Sequence, residues 1–351
     1  MNLIIIKKCM VHLETNLDFW TDGKIAPLDV PIIHADEHST NYATKGFEGG
    51  CTYRRQDNVV IFRPTPRFIR FREKTAKELF LDVKWTPEQL TEITKDLVIR
   101  NEAKIKNGEV IRTLFKGEVL EFREPPERWY IRPHVRHCAR SLGVYTPPET
   151  SVFIYIAPFG RYHGDEIFKN GAILKIVDER RIDSRSLSSE AKLSAHYTIG
   201  YKAIAKAKHE DPRVTEVFLP DMWGYLADGS GGNISMIKNG VLYITRRHSA
   251  LDGIVRQSIV ELAKNELNIR VEETDISPKQ IYQADEVLIT GNAAEVTPVR
   301  EVDTHTIGDG SMGPYTKKLQ NMFFGIVYNN PNQFPNCGKY QHWMEPVYPK
   351  S

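Results

Sequence analysis

The segment Ser188-Ser-Glu-Ala-Lys-Leu-Ser-Ala-His-Tyr197 places one lysine, Lys192, shortly before a tyrosine. The pattern predicts a helix over about 189–208, which would put Lys192 just inside the first turn. The N-terminal end of a helix carries partial positive charge, so a cation gains nothing from the dipole there. A lysine kept in such a place for chemistry would have a depressed pKa and a nucleophilic neutral amine. Taken alone, the segment also fits an ordinary solvated lysine.

The composition is that of a globular chain with two domains. Of the 351 residues, 41% are hydrophobic and 26% are charged, and this length favours two domains over one. The net charge of +2 gives no strong field toward nucleic acid or an anionic membrane, so we expect neither as a partner. A basic cluster between Arg63 and Lys77 is the exception. It fits a solvated helix face, although one of its arginines could bind a small anion.

The cysteines and the N-terminus indicate the compartment. The four cysteines are scattered, without CxxC pairs or metal-ligand spacing, at Cys9, Cys51, Cys138 and Cys337. We therefore expect free thiols and no metal, as is usual in a reducing cytosol. The apolar run at 3–6 is too short for a signal sequence, and no apolar stretch approaches the ~20 residues of a membrane span. These features predict a cytoplasmic protein.

Strand and helix patterns alternate along the chain and favour two α/β or α+β domains. In the first half, strands are predicted at 58–62 and 128–131, and helices at 74–81 and 86–108. In the second half we predict strands at 151–157, 172–177, 215–219 and 286–290, a hairpin through Lys238-Asn-Gly240, and a helix at 252–267.

The proline-rich break at 143–150 is a plausible domain boundary. We accordingly expect a smaller N-terminal α/β domain over 1–145, a linker at 146–150, and a larger C-terminal domain over 151–351.

Three loops could approach a ligand. Asp228-Gly-Ser-Gly-Gly-Asn233 is followed by a hairpin and not by a helix, so it does not match a dinucleotide-binding fingerprint. It fits a flexible loop, or a tight turn that presents Asp228 beside a flat ligand. Gly253 opens a helix, which is a natural phosphate site. The small residues after Thr290 leave backbone amides open to an anion, although an ordinary turn would look similar.

Arg132, in Tyr130-Ile-Arg-Pro133, suits bidentate recognition of a carboxylate, with a surface ion pair as the alternative.

In their order, these segments resemble the branched-chain aminotransferase family of pyridoxal-phosphate enzymes, which have fold type IV. The resemblance runs from about His38 to Leu319. It rests on the ordered blocks Tyr42 to Phe47-Glu-Gly49, Phe62-Arg-Pro-Thr-Pro-Arg-Phe-Ile-Arg70, Tyr130-Ile-Arg-Pro133, Ala191-Lys-Leu-Ser-Ala-His-Tyr197, Gly224 to Asn233, and Thr290-Gly-Asn-Ala-Ala-Glu-Val-Thr-Pro-Val299.

The resemblance implies an enzyme that uses pyridoxal 5′-phosphate and moves an amino group between an L-amino acid and a 2-oxo acid. Lys192 would be the catalytic, Schiff-base lysine. The other cofactor-binding residues would be Arg70, Tyr197, Asp228, Ile254, Val255 and Asn292. The substrate would contact Tyr42, Phe47, Tyr130, Arg132, Phe159, Tyr162, Ala293 and Ala294. The family also implies a homodimer in which Val144 reaches the site of the partner subunit.

The chain departs from the family pattern near the expected site. Asp228 stands where the family has glutamate, Val255 and Asn292 replace threonines, His196 replaces asparagine, Arg67 replaces histidine, and Gly50-Cys51 replaces an aliphatic-Arg pair. We expect that Gly50 enlarges the pocket wall. The substrate side chain would be branched-chain-like, or larger or more polar than that of valine, leucine or isoleucine, and we favour the second of these.

Other activities remain open at this point. Within the same fold, they are a D-amino-acid or (R)-amine transaminase and a lyase related to aminodeoxychorismate lyase. From another class, a catalytically silent cofactor-binding protein is the alternative, although such a protein has no chemical need for Lys192.

Overall fold

The computed structural model describes residues 15–30, 32–115 and 118–349. The apolar run at 3–6 and Cys9 lie outside these ranges. In the first half the strands are β1 (Asp18–Thr21), β2 (Lys24–Pro27), β3 (Lys45–Phe47), β4 (Gly50–Arg54), β5 (Val59–Phe62), β6 (Ile111–Phe115), β7 (Glu118–Phe122), β8 (Trp129–His137) and β9 (Thr150–Pro158). The predicted strands at 58–62 and 151–157 are therefore confirmed, and the one at 128–131 extends to His137.

Within the described residues of the first half, three helices accompany these strands: α1 (His38–Tyr42), α2 (Pro64–Arg70), which continues as a π-helix over Phe71–Ala76, and α3 (Pro87–Lys106). Helix α3 begins as predicted, because Thr86 and Gln89 form a capping box and Pro87 occupies the first helical position. The helix predicted at 74–81 is wrong in its start. The helical segment already begins at Pro64, directly after Arg63 takes a left-handed conformation.

The second half has a larger set of strands and helices. Its strands are β10 (Ala172–Ile176), β11 (Glu216–Pro220), β12 (Leu226–Gly229), β13 (Asn233–Lys238), β14 (Val241–Thr245), β15 (Val271–Thr274), β16 (Glu286–Gly291), β17 (Glu295–Val302), β18 (His305–Thr306) and β19 (Met344–Pro346). Its helices are α4 (Asp165–Asn170), α5 (Ser194–Glu210), α6 (Ile254–Asn265), α7 (Pro278–Tyr282), α8 (Pro314–Val327) and a 3-10 helix over Pro335–Trp343. The predicted Asn-Gly hairpin is confirmed, with Asn239 and Gly240 both at positive φ.

The strands form two large sheets and one small hairpin. The first sheet has the order β19-β5-β4-β8-β9-β1-β2, with β3 added beside β8. The second has the order β12-β11-β10-β17-β16-β13-β14-β15, with β18 beside β17. The pairs β10–β11, β10–β17 and β14–β15 are parallel, so the second sheet is mixed. Across the described part of the chain, every helix is too short or too polar to span a membrane.

Strand pairing bears on the domain boundary. Strand β9 pairs with β8 over its whole length, from Thr150 opposite His137 to Pro158 opposite Trp129. Strand β19 returns from the end of the chain to pair with β5 in the same sheet. We therefore propose that the N-terminal domain extends through β9 and that the boundary follows Pro158, beyond the predicted linker at 146–150.

One buried cluster joins the two halves. It contains Cys51 and Phe62 from the first half together with Leu288 and Phe323 from the second. A buried ion-pair network also crosses between the sheets, because Glu295 of β17 pairs with Arg128, just before β8, and with Arg161, whose Nη1 lies 3.2 Å from Glu295 Oε2. These contacts hold the sheets at a fixed spacing, and the cavity described below lies between them.

We expect Glu295→Ala to lower the free energy of unfolding by about 3–5 kcal/mol, because it leaves the buried Arg128 without its counter-charge. Urea unfolding followed by fluorescence measures the change. The exposed Arg270, paired with Glu272, supplies the control, and Arg270→Ala should cost no more than about 0.5 kcal/mol. Equal losses in the two variants would contradict a structural role for the Glu295 network.

Candidate active site

The backbone of Lys192 is attached to the first half of the molecule. Its N–H donates to Thr75 Oγ1 at 3.0 Å, and its carbonyl accepts from Phe47 N at 3.0 Å. Leu193 forms a bridge with Gly46, where a Cβ would overlap the Thr75 side chain. These bonds require extended backbone at Leu193, so α5 begins only at Ser194. The prediction that Lys192 lies inside the first turn of that helix is therefore wrong.

The side chain of Lys192 points into a cavity. Only 8% of the residue is exposed, and Nζ donates a hydrogen bond to the Tyr197 hydroxyl. The amine also lies 5.3 Å from the centre of the Phe47 ring. The five-residue spacing noted in the sequence thus brings the amine and the phenol into direct contact.

The cavity lies between the two sheets. All the residues predicted to bind the cofactor contribute to its wall: Arg70, Lys192, Tyr197, Asp228, Ile254, Val255 and Asn292. They come from elements that are far apart in the sequence.

A buried carboxylate stands on one side of the cavity. Asp228 lies on β12, where Oδ1 accepts from Asn233 Nδ2 at 3.1 Å and Oδ2 accepts from Leu251 N at 3.2 Å. Arg181 Nη2 lies 3.6 Å from Oδ2. Burial raises the pKa of Asp228, and the positive charge of Arg181 opposes that effect. Such a group suits a cationic ring nitrogen as its partner.

Another side of the cavity is arranged for an anion. Helix α6 begins there at Ile254, and the N–H groups of a first helical turn have no partner within the helix. A Cβ at Gly253 would overlap Asn233 Oδ1, so this approach to the helix needs glycine. Arg70 lies beside it, where it donates to Asp252 O at 2.7 Å and to both carboxylate oxygens of Glu48 at 2.6 and 2.9 Å.

Comparison with known proteins identifies the family. The family model for amino-transferase class IV matches residues 60–302, more than half of the chain. This chain belongs to that family. It is 33% identical over 339 residues to a probable branched-chain-amino-acid aminotransferase of Aquifex aeolicus (95% of this chain and 98% of the relative), and 30% identical over 308 residues to the Escherichia coli K12 branched-chain-amino-acid aminotransferase (88% and 92%).

Solved structures agree in fold over nearly the whole chain. The T.th. branched-chain amino acid aminotransferase with pyridoxamine 5′-phosphate superimposes with a TM-score of 0.80 at 29% identity, covering 96% of this chain and all of that one. The Escherichia coli enzyme gives a TM-score of 0.80 at 29% identity, covering 95% and 100%. The predictions of fold type IV, of an aminotransferase and of pyridoxal phosphate as its cofactor are therefore confirmed.

The residues present in this class IV aminotransferase fit that cofactor. A lysine amine, a buried carboxylate and an anion-binding helix start surround a single cavity. In addition, Thr290 Oγ1 and Arg181 Nε are buried in its wall without a hydrogen-bond partner within the described residues. Buried polar atoms of this kind are normally satisfied, so a polar ligand accounts for them.

A second cavity adjoins the first and shares Lys192, Tyr197, Tyr130 and Ala293 with it. The predicted substrate residues Phe47, Tyr130, Arg132, Tyr162, Ala293 and Ala294 all line it. The predicted Phe159 lies behind this wall, with its ring 4.9 Å from that of Tyr130.

Tyr42 is not part of either cavity within this chain. Its hydroxyl accepts from Gly143 N at 2.8 Å, and the neighbouring Val144 is 90% exposed. The structure therefore places Tyr42 on the surface beside Val144, away from Lys192.

Sequence reasoning missed two charged residues of the site. Glu48 belongs to the Phe-Glu-Gly segment, which by itself indicates no role for the carboxylate, yet Glu48 forms the ion pair with Arg70. Arg181 lies in an irregular loop after β10, and its contact with Asp228 joins segments that are far apart in the second half. An arginine in a loop has no local signal that would distinguish it from a solvated one.

His196 is buried beside the site, and Nε2 lies 3.1 Å from Ser188 O. Burial lowers its pKa from 6.5 to about 4, and the charge of Arg181 acts in the same direction. Between about pH 4 and 6.5 the unfolded chain therefore binds a proton at His196 that the folded chain does not bind. Its contribution to stability is complete above pH 6.5 and is lost as the pH falls toward 4.

We expect His196→Asn to flatten the pH dependence of the unfolding free energy between pH 6.5 and 4 by up to about 1.4 kcal/mol per pH unit. Urea titrations at several pH values measure this slope. His209→Asn, at an exposed position on the same helix, is the control and should leave the slope unchanged. An unchanged slope in His196→Asn would show that His196 does not titrate differently on folding.

Proposed function

We propose that the protein moves the amino group of an L-amino acid to a 2-oxo acid, with Lys192 as its catalytic residue, as a cytoplasmic homodimer. The observation that carries this proposal is the Lys192–Tyr197 hydrogen bond inside a cavity that also holds Asp228 and the anion-binding start of α6.

When bound, the cofactor supplies the electron sink and the carrier for the amino group. Lys192 Nζ would take the proton from the α carbon of the amino donor and, in the second half of the transfer, would deliver a proton to the α carbon that derives from the 2-oxo acid. Tyr197 accepts a hydrogen bond from that amine and orients it. Asp228 would hold a proton on the ring nitrogen, while Arg70 and the backbone of Ile254, Val255 and Asn292 would hold the phosphate.

The substrate would be bound by groups of the second cavity. Backbone N–H groups of Ala293 and Ala294 suit its carboxylate, because small side chains leave them accessible. Phe47, Tyr130 and Tyr162 would enclose its side chain. Arg132 lies over both the Phe47 and Tyr130 rings and donates to the Tyr130 hydroxyl at 3.0 Å, so it orients that hydroxyl toward the cavity.

Lys192→Ala should abolish the visible absorbance change that wild-type protein shows on addition of pyridoxal phosphate, and should lower turnover by at least about 100-fold, as expected for loss of a positioned general base. The matched control is Lys202→Ala, an exposed lysine on α5 that pairs with Glu179. The control should retain absorbance and turnover. A wild-type protein without any absorbance change would favour a silent member of the family, and an unaltered Lys192→Ala spectrum would refute the assignment of Lys192.

The shape of the second cavity bears on the side chain of the substrate. Gly50 does not enlarge it as expected, because Gly50 is not among the residues that line it. A further cleft instead adjoins the second cavity and shares Tyr162, Tyr201 and Ile204 with it.

The buried carboxylate of Glu216 borders both spaces, and burial raises its pKa. The relatives from Aquifex aeolicus and Escherichia coli act, by their names, on branched-chain amino acids. We nevertheless propose a donor whose side chain is longer or more polar, since the space beyond Ile204 would accommodate it.

A panel of amino donors should show kcat/KM for longer or polar L-amino acids at least about tenfold above that for leucine and isoleucine, the scale on which pockets discriminate by size. Ile204→Trp should fill the space between the second cavity and the adjoining cleft. It should therefore reduce kcat/KM for long donors and leave kcat/KM for alanine or valine unchanged. Best turnover on leucine or isoleucine would contradict the proposal. Turnover of D enantiomers alone would indicate a D-amino-acid transaminase.

The surface position of Tyr42 supports the proposed homodimer. Tyr42 and Gly143 are hydrogen-bonded, and the adjoining Leu142 and Val144 are 77% and 90% exposed. Large apolar side chains exposed together commonly mark a protein interface. In a dimer, this surface would supply Tyr42 and Val144 to the partner's cavity.

A further inference from the structure

The turn that carries Ala293 and Ala294 is tied to the first sheet by two reciprocal hydrogen bonds. Asn292 Nδ2 donates to Gly49 O at 2.5 Å, and Cys51 Sγ donates to Asn292 O at 3.3 Å. Asn292, in the turn between β16 and β17, is thus held through its side chain by Gly49, just before β4, and through its carbonyl by Cys51 of β4.

The carbonyl of Gly49 is held in place by a further hydrogen bond. Gly49 O also accepts from Arg67 Nη1 at 2.8 Å, and Arg67 Nε donates to Phe62 O at 3.1 Å. A Cβ at Gly49 would overlap the Tyr130 hydroxyl, so the close approach of Asn292 and Tyr130 to this backbone depends on glycine.

The thiol of Cys51 is suited to remain a donor. Cys51 is 2% exposed, and burial raises its pKa to about 11, so the S–H stays protonated at neutral pH. Cys51 and Asn292, two of the positions at which the chain departs from the family pattern, are in direct contact with each other.

The bond to Gly49 changes what Asn292 can do. Its side-chain amide donates to Gly49 O, beside the first sheet, although the resemblance implies that this residue binds the cofactor. The turn then faces both cavities mainly through its backbone, since Ala293 lines the cofactor cavity and the substrate cavity alike.

We propose that Asn292 and Cys51 are positioning residues that clamp the turn against the first sheet, so that the backbone N–H groups of Ala293 and Ala294 are held ready for the substrate carboxylate. This inference rests on the proposed function of those two amides. Loss of the clamp loosens the turn and weakens carboxylate binding, while the proton transfer at Lys192 is little affected.

The test compares Cys51→Ala, Cys51→Ser and Asn292→Ala with wild type in the cofactor-loaded protein. Hydrogen–deuterium exchange of the peptide over 290–296 reports the turn directly. The dissociation constant of 4-methylvaleric acid, read from the cofactor spectrum, reports carboxylate binding without turnover. In the two alanine variants we expect both the exchange rate and the dissociation constant to rise about fivefold, which corresponds to one lost hydrogen bond.

Cys51→Ser retains a donor and should restore values close to wild type. Cys337→Ala is the matched control: Cys337 is also buried, and its thiol lies 3.7 Å from the side chain of Asn329, remote from the turn. This control should leave exchange over 290–296 and the dissociation constant unchanged. KM for the amino donor should rise in Cys51→Ala with kcat within about twofold, because the clamp acts on binding.

Equal exchange in wild type and Cys51→Ala would overturn the clamp. Faster exchange with an unchanged dissociation constant would overturn its role in carboxylate binding. If Asn292→Ala does not fold, the comparison of Cys51→Ala with Cys51→Ser tests the clamp by itself. Since exchange requires no turnover, failure of the transaminase proposal would leave the exchange result interpretable and would appear separately, as absence of activity in wild type.

Discussion

The site depends on the attachment of the Lys192 backbone to the first half of the molecule. Lys192 precedes a helix of the second half, yet its N–H and carbonyl bond to Thr75 and Phe47. This attachment turns the side chain into the space between the sheets, where Tyr197, one helical turn into α5, receives its amine. If Leu193 instead extended the helix, those bonds to the first half would be lost.

The same arrangement determines how charge is buried. An isolated buried charge is costly, and two of the buried charges near the cavity are paired with an opposite charge. Glu48 neutralises Arg70 through two short bonds, and Arg181 approaches Asp228 at 3.6 Å. The longer distance of the second pair leaves Asp228 able to interact with a cationic ligand, whereas Glu48 is fully engaged. The two carboxylates therefore differ: Glu48 orients an arginine, whereas Asp228 would meet the proposed cofactor.

Much of this site could be predicted from the sequence, since every residue expected to bind the cofactor lines one cavity. The motifs that succeeded are local ones, such as the glycine before α6 and the Asn-Gly hairpin, where a short segment determines its own conformation. The errors have a different origin. The start of α5 depends on pairing between Gly46 and Leu193, and the surface position of Tyr42 depends on Gly143. Contacts between distant segments leave no periodicity or spacing in either segment.

The departures from the family pattern show the same limitation, because the effect of several substituted residues depends on a second substituted residue that each of them contacts. Gly50 packs beside the stem of Arg67, and neither residue lines either cavity, so neither substitution opens the pocket. Asn292 lacks the hydroxyl of threonine, but its longer side chain reaches Gly49, and Cys51 supplies the returning bond. Considered singly, each substitution would indicate either weaker binding of the cofactor phosphate or a larger pocket. Considered together, Asn292 and Cys51 place fewer side-chain donors at the cofactor and would connect the two sheets more tightly. The substrate carboxylate is the group that such a connection would affect first.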